Sequence, residues 1–343
     1  MWGIGTLPES NAKAEAYSHI GVIGAGAWGT ALALAAAQAG RSVTLWAREP
    51  AVIESVRKDH RNDLFLPGVT LPASIAVTAE LKDVAGADAL LVVVPAQHLR
   101  SSLQALQPHI ANGQPVALCA KGIERGTGKL LTEILAEEAP ACDPAMLSGP
   151  SFARDVAHGL PTAVTIAAKP PTAQALQASL NHAGFRPYAS DDLTGVALGG
   201  AAKNVYAIAC GMVRGMGLGE SAQAALLARS FAELCRLGEA VGAKRETLMG
   251  LSGLGDLVLT ATSPTSRNFS FGLALGKGAK PSDLEQPGKP LAEGATTAPA
   301  LIARAKAENV ELPIAQAVAH VLDGSLALAD VIPRLMSRPL TTE

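Results

Sequence analysis

The 343-residue chain has only four cysteines, Cys119, Cys142, Cys210 and Cys235, and no two of them share a C-x-x-C spacing. That excludes a disulfide framework or a zinc ribbon as the basis of the fold, and the thiols read as reduced and mostly buried. The seven histidines form no H-x-x-x-H or H-x-x-E-H pattern, so no metal site is expected. Charge is sparse as well. Charged residues make up 17% of the chain and the formal net charge is −2. With basic residues scattered, nucleic acid is not expected as a partner. No uncharged apolar run reaches the ~18 residues of a membrane span. Residues 1–17 lack the basic start and apolar core of a secretory signal and read as a flexible polar extension, so the expected localisation is cytoplasmic. Internal repeats and low-complexity tracts are missing too. What remains is a chain that is 48% hydrophobic and long enough for two domains, each with its own core.

The most informative stretch runs from Ile20 through Gly24-Ala25-Gly26-Ala27-Trp28-Gly29 to Ala33. An apolar segment leads straight into G-x-G-x-x-G, and an Ala/Leu-rich helical run follows, ending at Gly40. Strand, tight turn and helix start are what a dinucleotide pyrophosphate needs. Gly24 allows the turn, Gly26 lets the backbone approach the phosphates, and Gly29 lets helix and strand pack closely. The helix N-terminus offers free N–H groups and the positive end of its dipole to the anion. With a second strand at 43–46, the pattern implies NAD(P); the competing reading is a tight turn that binds nothing.

Up to Ser190 the chain alternates β-rich and helical runs. Strands are expected near 75–77, 89–94, 115–120 and 145–148, with helices at 51–61, 99–109 and 130–138. Continuous apolar strands alternating with helices imply a parallel sheet covered on both faces. Two further β-like segments, 163–167 and 185–189, extend it. From Asp191 small-residue helical stretches take over, at 193–212, 220–241, 295–308 and 313–322. The fold class is therefore α/β: an N-terminal Rossmann-type doubly wound parallel sheet over 18–190, then an all-α C-terminal domain over 191–336. The first helix of the second domain forms the floor between the two. The Pro/Gly-rich stretch 276–290 reads as a surface loop.

A site specific for NAD usually carries an acid at the end of the second strand. Here the strand end reads Trp46-Ala47-Arg48-Glu49. Arg48 stands where a guanidinium pairs with a 2′-phosphate, which favours NADPH with NADH tolerated. Glu49 argues the other way if the strand ends one residue later, and Arg48 could be no more than a turn residue.

Several segments set isolated polar side chains among small residues, as where backbone approaches a ligand. They include Cys119-Ala-Lys121-Gly122, Ser148-Gly149-Pro150-Ser151-Phe152-Ala153, Gly199-Gly-Ala-Ala-Lys203-Asn204, Gly253-Leu-Gly255-Asp256, Ser266-Arg267-Asn268 and Ala292-Glu293-Gly294. Together with G-A-W-G-T-A-L-A and V-V-P-A-Q, and in this order over roughly residues 20 to 330, they make the chain resemble soluble NAD(P)-dependent glycerol-3-phosphate dehydrogenases of the bacterial type. The resemblance implies reversible reduction of dihydroxyacetone phosphate to sn-glycerol 3-phosphate for glycerophospholipid synthesis, and a homodimer. It makes Lys203 the catalytic lysine, with Asp256 and Lys121 beside it. Lys121, Gly149, Ser151, Lys203, Asn204, Asp256, Ser266, Arg267 and Asn268 would contact substrate. Gly24, Gly26, Ala27, Trp28, Gly29, Arg48, Lys121, Ala153, Arg267, Leu291 and Glu293 would hold the cofactor. Ala27 departs from the serine frequent in the family, which removes a hydroxyl but not the backbone cradle.

The chemistry agrees with these roles. Reducing a ketose phosphate needs a hydride, a proton for the carbonyl oxygen and a grip on the phosphate. Lys203, set among Gly and Ala, can hydrogen-bond the carbonyl and deliver the proton. Lys121 and burial would lower its pKa and Asp256 would raise it. The simpler alternatives are a solvated helix lysine for Lys203, a helix cap for Asp256 and an ordinary capped helix start for Ser266–Asn268. For Glu293 the alternative is a plain helix start. Two rival functions remain: a β-hydroxyacid or 6-phosphogluconate-type dehydrogenase, and a non-catalytic NADP(H)-sensing protein.

Overall fold

A computed structural model describes residues 15–284 and 292–337. The first part alternates β1 (His19–Ile23), α1 (Ala27–Gln38), β2 (Ser42–Trp46), α2 (Pro50–Asp59), β3 (Ile75–Thr78) and α3 (Leu81–Ala85). It continues with β4 (Ala89–Val92), α4 (Leu99–Leu106), β5 (Pro115–Leu118), α5 (Leu131–Glu138) and β6 (Asp143–Ser148). Then come α6 (Ala153–Ala157), β7 (Thr162–Ala167), α7 (Pro170–Leu180) and β8 (Phe185–Ser190). The eight strands form one sheet in the order β3-β2-β1-β4-β5-β6-β7-β8. The order reverses beside β1, and such a switch point opens a crevice at the strand ends.

The expectation of an all-parallel sheet needs one correction. β6 and β7 pair antiparallel, whereas β7 and β8 pair parallel. Short α6 lies against α1, and its Val156 and Ala157 join that helix's core. The chain thus re-enters the sheet from the end at which β6 left it, without the long crossover that a parallel neighbour requires.

The second part is helical: α8 (Leu193–Gly215), α9 (Glu220–Ala240), α10 (Arg245–Met249), α11 (Asp256–Thr262) and α12 (Arg267–Gly276). After these come α13 (Pro281–Leu284), α14 (Glu293–Ala307), α15 (Pro313–Leu322) and α16 (Leu328–Met336). The expected loop at 276–290 therefore contains one short helix, and its residues 285–290 lie outside the described ones. Asp192 starts α8, its Oδ1 accepting from the Gly195 N–H at 2.8 Å while Oδ2 accepts from the Lys244 N–H at 2.8 Å. α8 joins the two halves: Val196 and Ala197 belong to a core cluster of the sheet, and Leu198 through Met212 to that of the helices. Among the described residues α8 is the one helix long and apolar enough to cross a bilayer, but nearly all of it is buried in the protein. Its Lys203 and Asn204 break the apolar run, as the sequence implied. Tyr17, expected in the extension, instead packs on the sheet core, and its N–H donates to Ser179 Oγ at 2.8 Å.

Candidate active site

The glycine turn follows β1. Gly24 has φ +112°, and its N–H donates to the Trp46 carbonyl at 3.1 Å. A Cβ on Gly29 would lie 1.8 Å from the Gly24 carbonyl oxygen, so α1 can start this close to the turn only with glycine there. Around Gly26 the space that a Cβ would enter is open, as close approach of a pyrophosphate requires. Ala27 and Trp28 open α1, whose first turn has no side-chain cap, so its N–H groups are left for an anion. Trp28 Nε1 is enclosed without a hydrogen-bond partner, a donor awaiting an acceptor. These residues fit a dinucleotide. Asn62, which sequence reasoning missed, ties the turn down: Nδ2 donates at 2.8 Å to the Ala25 carbonyl and at 2.8 Å to Thr30 Oγ1. It stands 32 residues beyond Thr30, and nothing in its own segment signals that contact.

Arg48 lies just past β2 with its side chain 77% exposed, 3.3 Å from Glu49 Oε1. It borders a groove of about 540 Å³ that Arg57 and Lys58 also line. Ala153, the first residue of α6, packs against the core under α1. Leu291 falls outside the described residues.

Beyond β5, Lys121 Nζ donates to the Gly149 carbonyl at 3.2 Å and to Asp256 Oδ2 at 2.6 Å. Gly149 and Ser151 follow β6, and Ser151 Oγ donates to the same Gly149 carbonyl at 3.1 Å. Lys203, deep in α8, donates to Asp256 Oδ1, and at 2.8 Å to Thr260 Oγ1. Asp256 is fully buried and its carboxylate joins both lysines. It opens α11 directly behind a π-helical turn, Leu251–Gly255, an irregularity common at functional sites. Asp256 is thus more than a cap, since both its oxygens are taken by ammonium groups. Thr260 is the second residue missed. It sits four positions after Asp256 on one helix face, a spacing that could have revealed it.

Burial lowers the pKa of Lys203 to about 7, with Lys121 acting in the same direction and Asp256 opposing both. An amine that titrates there can donate or accept a proton near neutrality. Glu293, first residue of α14 and half-buried, has its carboxyl pushed up by burial, against the pull of Arg267, Lys121 and Lys203. Ser266 caps α12, its Oγ accepting from the Phe269 N–H at 3.2 Å, and exposed Arg267 starts the helix. Asn204 and Asn268 are buried together, 3.0 Å apart through Oδ1 and Nδ2. Residues scattered from 121 to 294 thus meet where the sheet's C-terminal edge touches the helices.

A family model described as the NAD-dependent glycerol-3-phosphate dehydrogenase N-terminus matches residues 19–174, and its C-terminal counterpart matches residues 192–333. The chain belongs to the NAD-dependent glycerol-3-phosphate dehydrogenase family. It is 55% identical over 329 residues to a glycerol-3-phosphate dehydrogenase (NAD(P)+) of Parvibaculum lavamentivorans, covering 96% of this chain and 99% of that one. A protein of the same name from Rhodopseudomonas palustris is 56% identical over 330 residues, with 96% and 99% covered. Among solved structures, the family's glycerol-3-phosphate dehydrogenase from Coxiella burnetii matches with a TM-score of 0.89 at 37% identity, covering 94% of this chain and 99% of that one.

Proposed function

We propose that this member of the family interconverts dihydroxyacetone phosphate and sn-glycerol 3-phosphate with NAD(P)H, and so feeds glycerophospholipid synthesis. The observation that carries the reading is the buried Lys121–Asp256–Lys203 cluster, at the sheet edge that also bears the glycine turn. NAD(P)H, when bound, supplies the hydride. Lys203 hydrogen-bonds the carbonyl oxygen and hands it the proton, or takes it back in oxidation. Asp256 holds Lys203 in place, and Lys121 keeps the site cationic. Arg267, Ser266 and Asn268 at the start of α12 grip the phosphate, with Asn204 beside them. Gly149 and Ser151 line the substrate side. Ala153, Leu291 and Glu293 join the glycine turn, Ala27, Trp28 and Arg48 on the cofactor. Residues 18–190 form the cofactor domain and 191–336 the substrate domain of a cytoplasmic homodimer.

The reading is tested by following the NADPH absorbance band with dihydroxyacetone phosphate, then with 6-phosphogluconate and 3-hydroxy acids in the presence of NADP+. Turnover only with the ketose phosphate pair is expected. Turnover with a hydroxy acid, or NADPH binding with no turnover, would favour the rival dehydrogenase or the sensor.

NADPH is the preferred cofactor on this reading, because Arg48, just past β2, borders a groove with two further cations, Arg57 and Lys58. Arg48→Asp should set a carboxylate against the 2′-phosphate, weaken NADPH binding and shift the ratio of kcat/KM toward NADH by about tenfold or more, as loss of one charge-assisted hydrogen bond implies. An unchanged ratio in the variant would make Arg48 a turn residue.

A further inference from the structure

Asn204 and Asn268 have a hydrogen-bond order that one backbone group decides. The Gly294 N–H donates to the Asn268 side chain at 2.8 Å. A backbone N–H has no other role, so the Asn268 atom facing it is the oxygen, however the amide would be drawn in isolation. The far end of that amide is then NH2, and it faces the Asn204 side chain at 3.0 Å. Asn204 can meet it only with its oxygen, which turns its own NH2 outward. No described residue accepts from that NH2, and it is not among the sealed side-chain atoms that lack a partner. On α8 Asn204 directly follows Lys203, whose ammonium is buried against Asp256 and Thr260.

The contact is tight. A Cβ on Gly294 would lie 2.4 Å from the Asn204 carbonyl oxygen and 2.9 Å from Asn268 Oδ1. Glycine at this point therefore lets α14 reach both asparagines. We infer that Asn268, besides its proposed contact with the phosphate, positions Asn204: with the Gly294 N–H it fixes the Asn204 amide so that the cleft proposed to hold the substrate receives a hydrogen-bond donor, suited to a substrate rich in oxygen acceptors. The second Nδ2 proton of Asn268 stays free for the substrate. The functional consequence rests on the activity proposed above, whereas the orientation does not.

Neutron diffraction on the deuterated protein tests the orientation directly, because nitrogen and oxygen scatter differently and the amide deuterons are located. Asn204 should present ND2 to the cleft. In Asn268→Asp, whose side chain accepts from Gly294 but cannot donate to Asn204, the Asn204 amide should be reversed. Oxygen toward the cleft in the parent, or no reversal in the variant, would overturn the inference whether or not the protein reduces dihydroxyacetone phosphate.

Kinetics test the consequence. Asn204→Ala and Asn268→Ala should each lower kcat/KM by about 10- to 100-fold. Since Asn204 depends on Asn268 for its orientation, the double variant should fall within about threefold of Asn268→Ala alone. Fully multiplied losses would mean that Asn204 contributes without Asn268, and would contradict the inference. A parent enzyme inactive on dihydroxyacetone phosphate would instead sink the proposed function and leave the neutron result to decide this one.

Discussion

Lys203→Ala is expected to lower kcat by about 100-fold or more, the usual scale for a lost general acid, while NADPH affinity stays nearly unchanged. The substitution removes a buried amine that is joined to Asp256 and Thr260. Its signature is the pH profile. Reduction needs the ammonium form, and burial has brought the pKa down to about 7. Reduction should therefore fall as pH rises through about 7, and oxidation of glycerol phosphate should rise over the same interval. Both limbs should disappear in the variant. Turnover within a few-fold of the parent, or an unaltered profile, would remove Lys203 from the chemistry.

The loss expected for Arg267→Ala is as large, but it should appear in kcat/KM. Charge-assisted hydrogen bonds contribute roughly 1.5–3 kcal/mol each, and a guanidinium can offer two to one phosphate. At ~1.4 kcal/mol per tenfold, their loss predicts a fall of at least about 100-fold. Arg267 starts α12 directly after the Ser266 cap, so a guanidinium is carried at the helix end where the dipole is positive. Arg267→Lys keeps the charge but not the fork, and should fall in between. The parent should use unphosphorylated dihydroxyacetone very poorly, and there the alanine substitution should add little. Equal damage on both substrates would assign Arg267 to the cofactor or the fold.

The parts of this site that could be read from sequence are those where local chemistry leaves few options. Gly24, Gly26 and Gly29 sit between an apolar run and a helical one, and each spacing corresponds to a separate steric demand. Lys203 stands out because no polar face surrounds it, so its ammonium needs a partner. What could not be read depends on distant segments. The reversal of β7 and β8 is set by where α6 packs, since the strands' own apolar pattern is the same in either direction. Asn62 is one polar residue in a loop until the fold brings it under Ala25 and Thr30. The amide order of Asn204 and Asn268 hangs on a backbone N–H at Gly294, and no side-chain pattern encodes that. Thr260 was within reach, four residues from Asp256, but only once Asp256 was taken as a partner of lysines rather than a helix cap.

The most direct test of the account is product analysis after the parent enzyme has consumed NADPH with dihydroxyacetone phosphate. One equivalent of sn-glycerol 3-phosphate per NADPH oxidised is the result predicted, and the reverse reaction with NADP+ should run on that enantiomer alone. NADPH that is bound but not consumed, or consumed without forming sn-glycerol 3-phosphate, would contradict it.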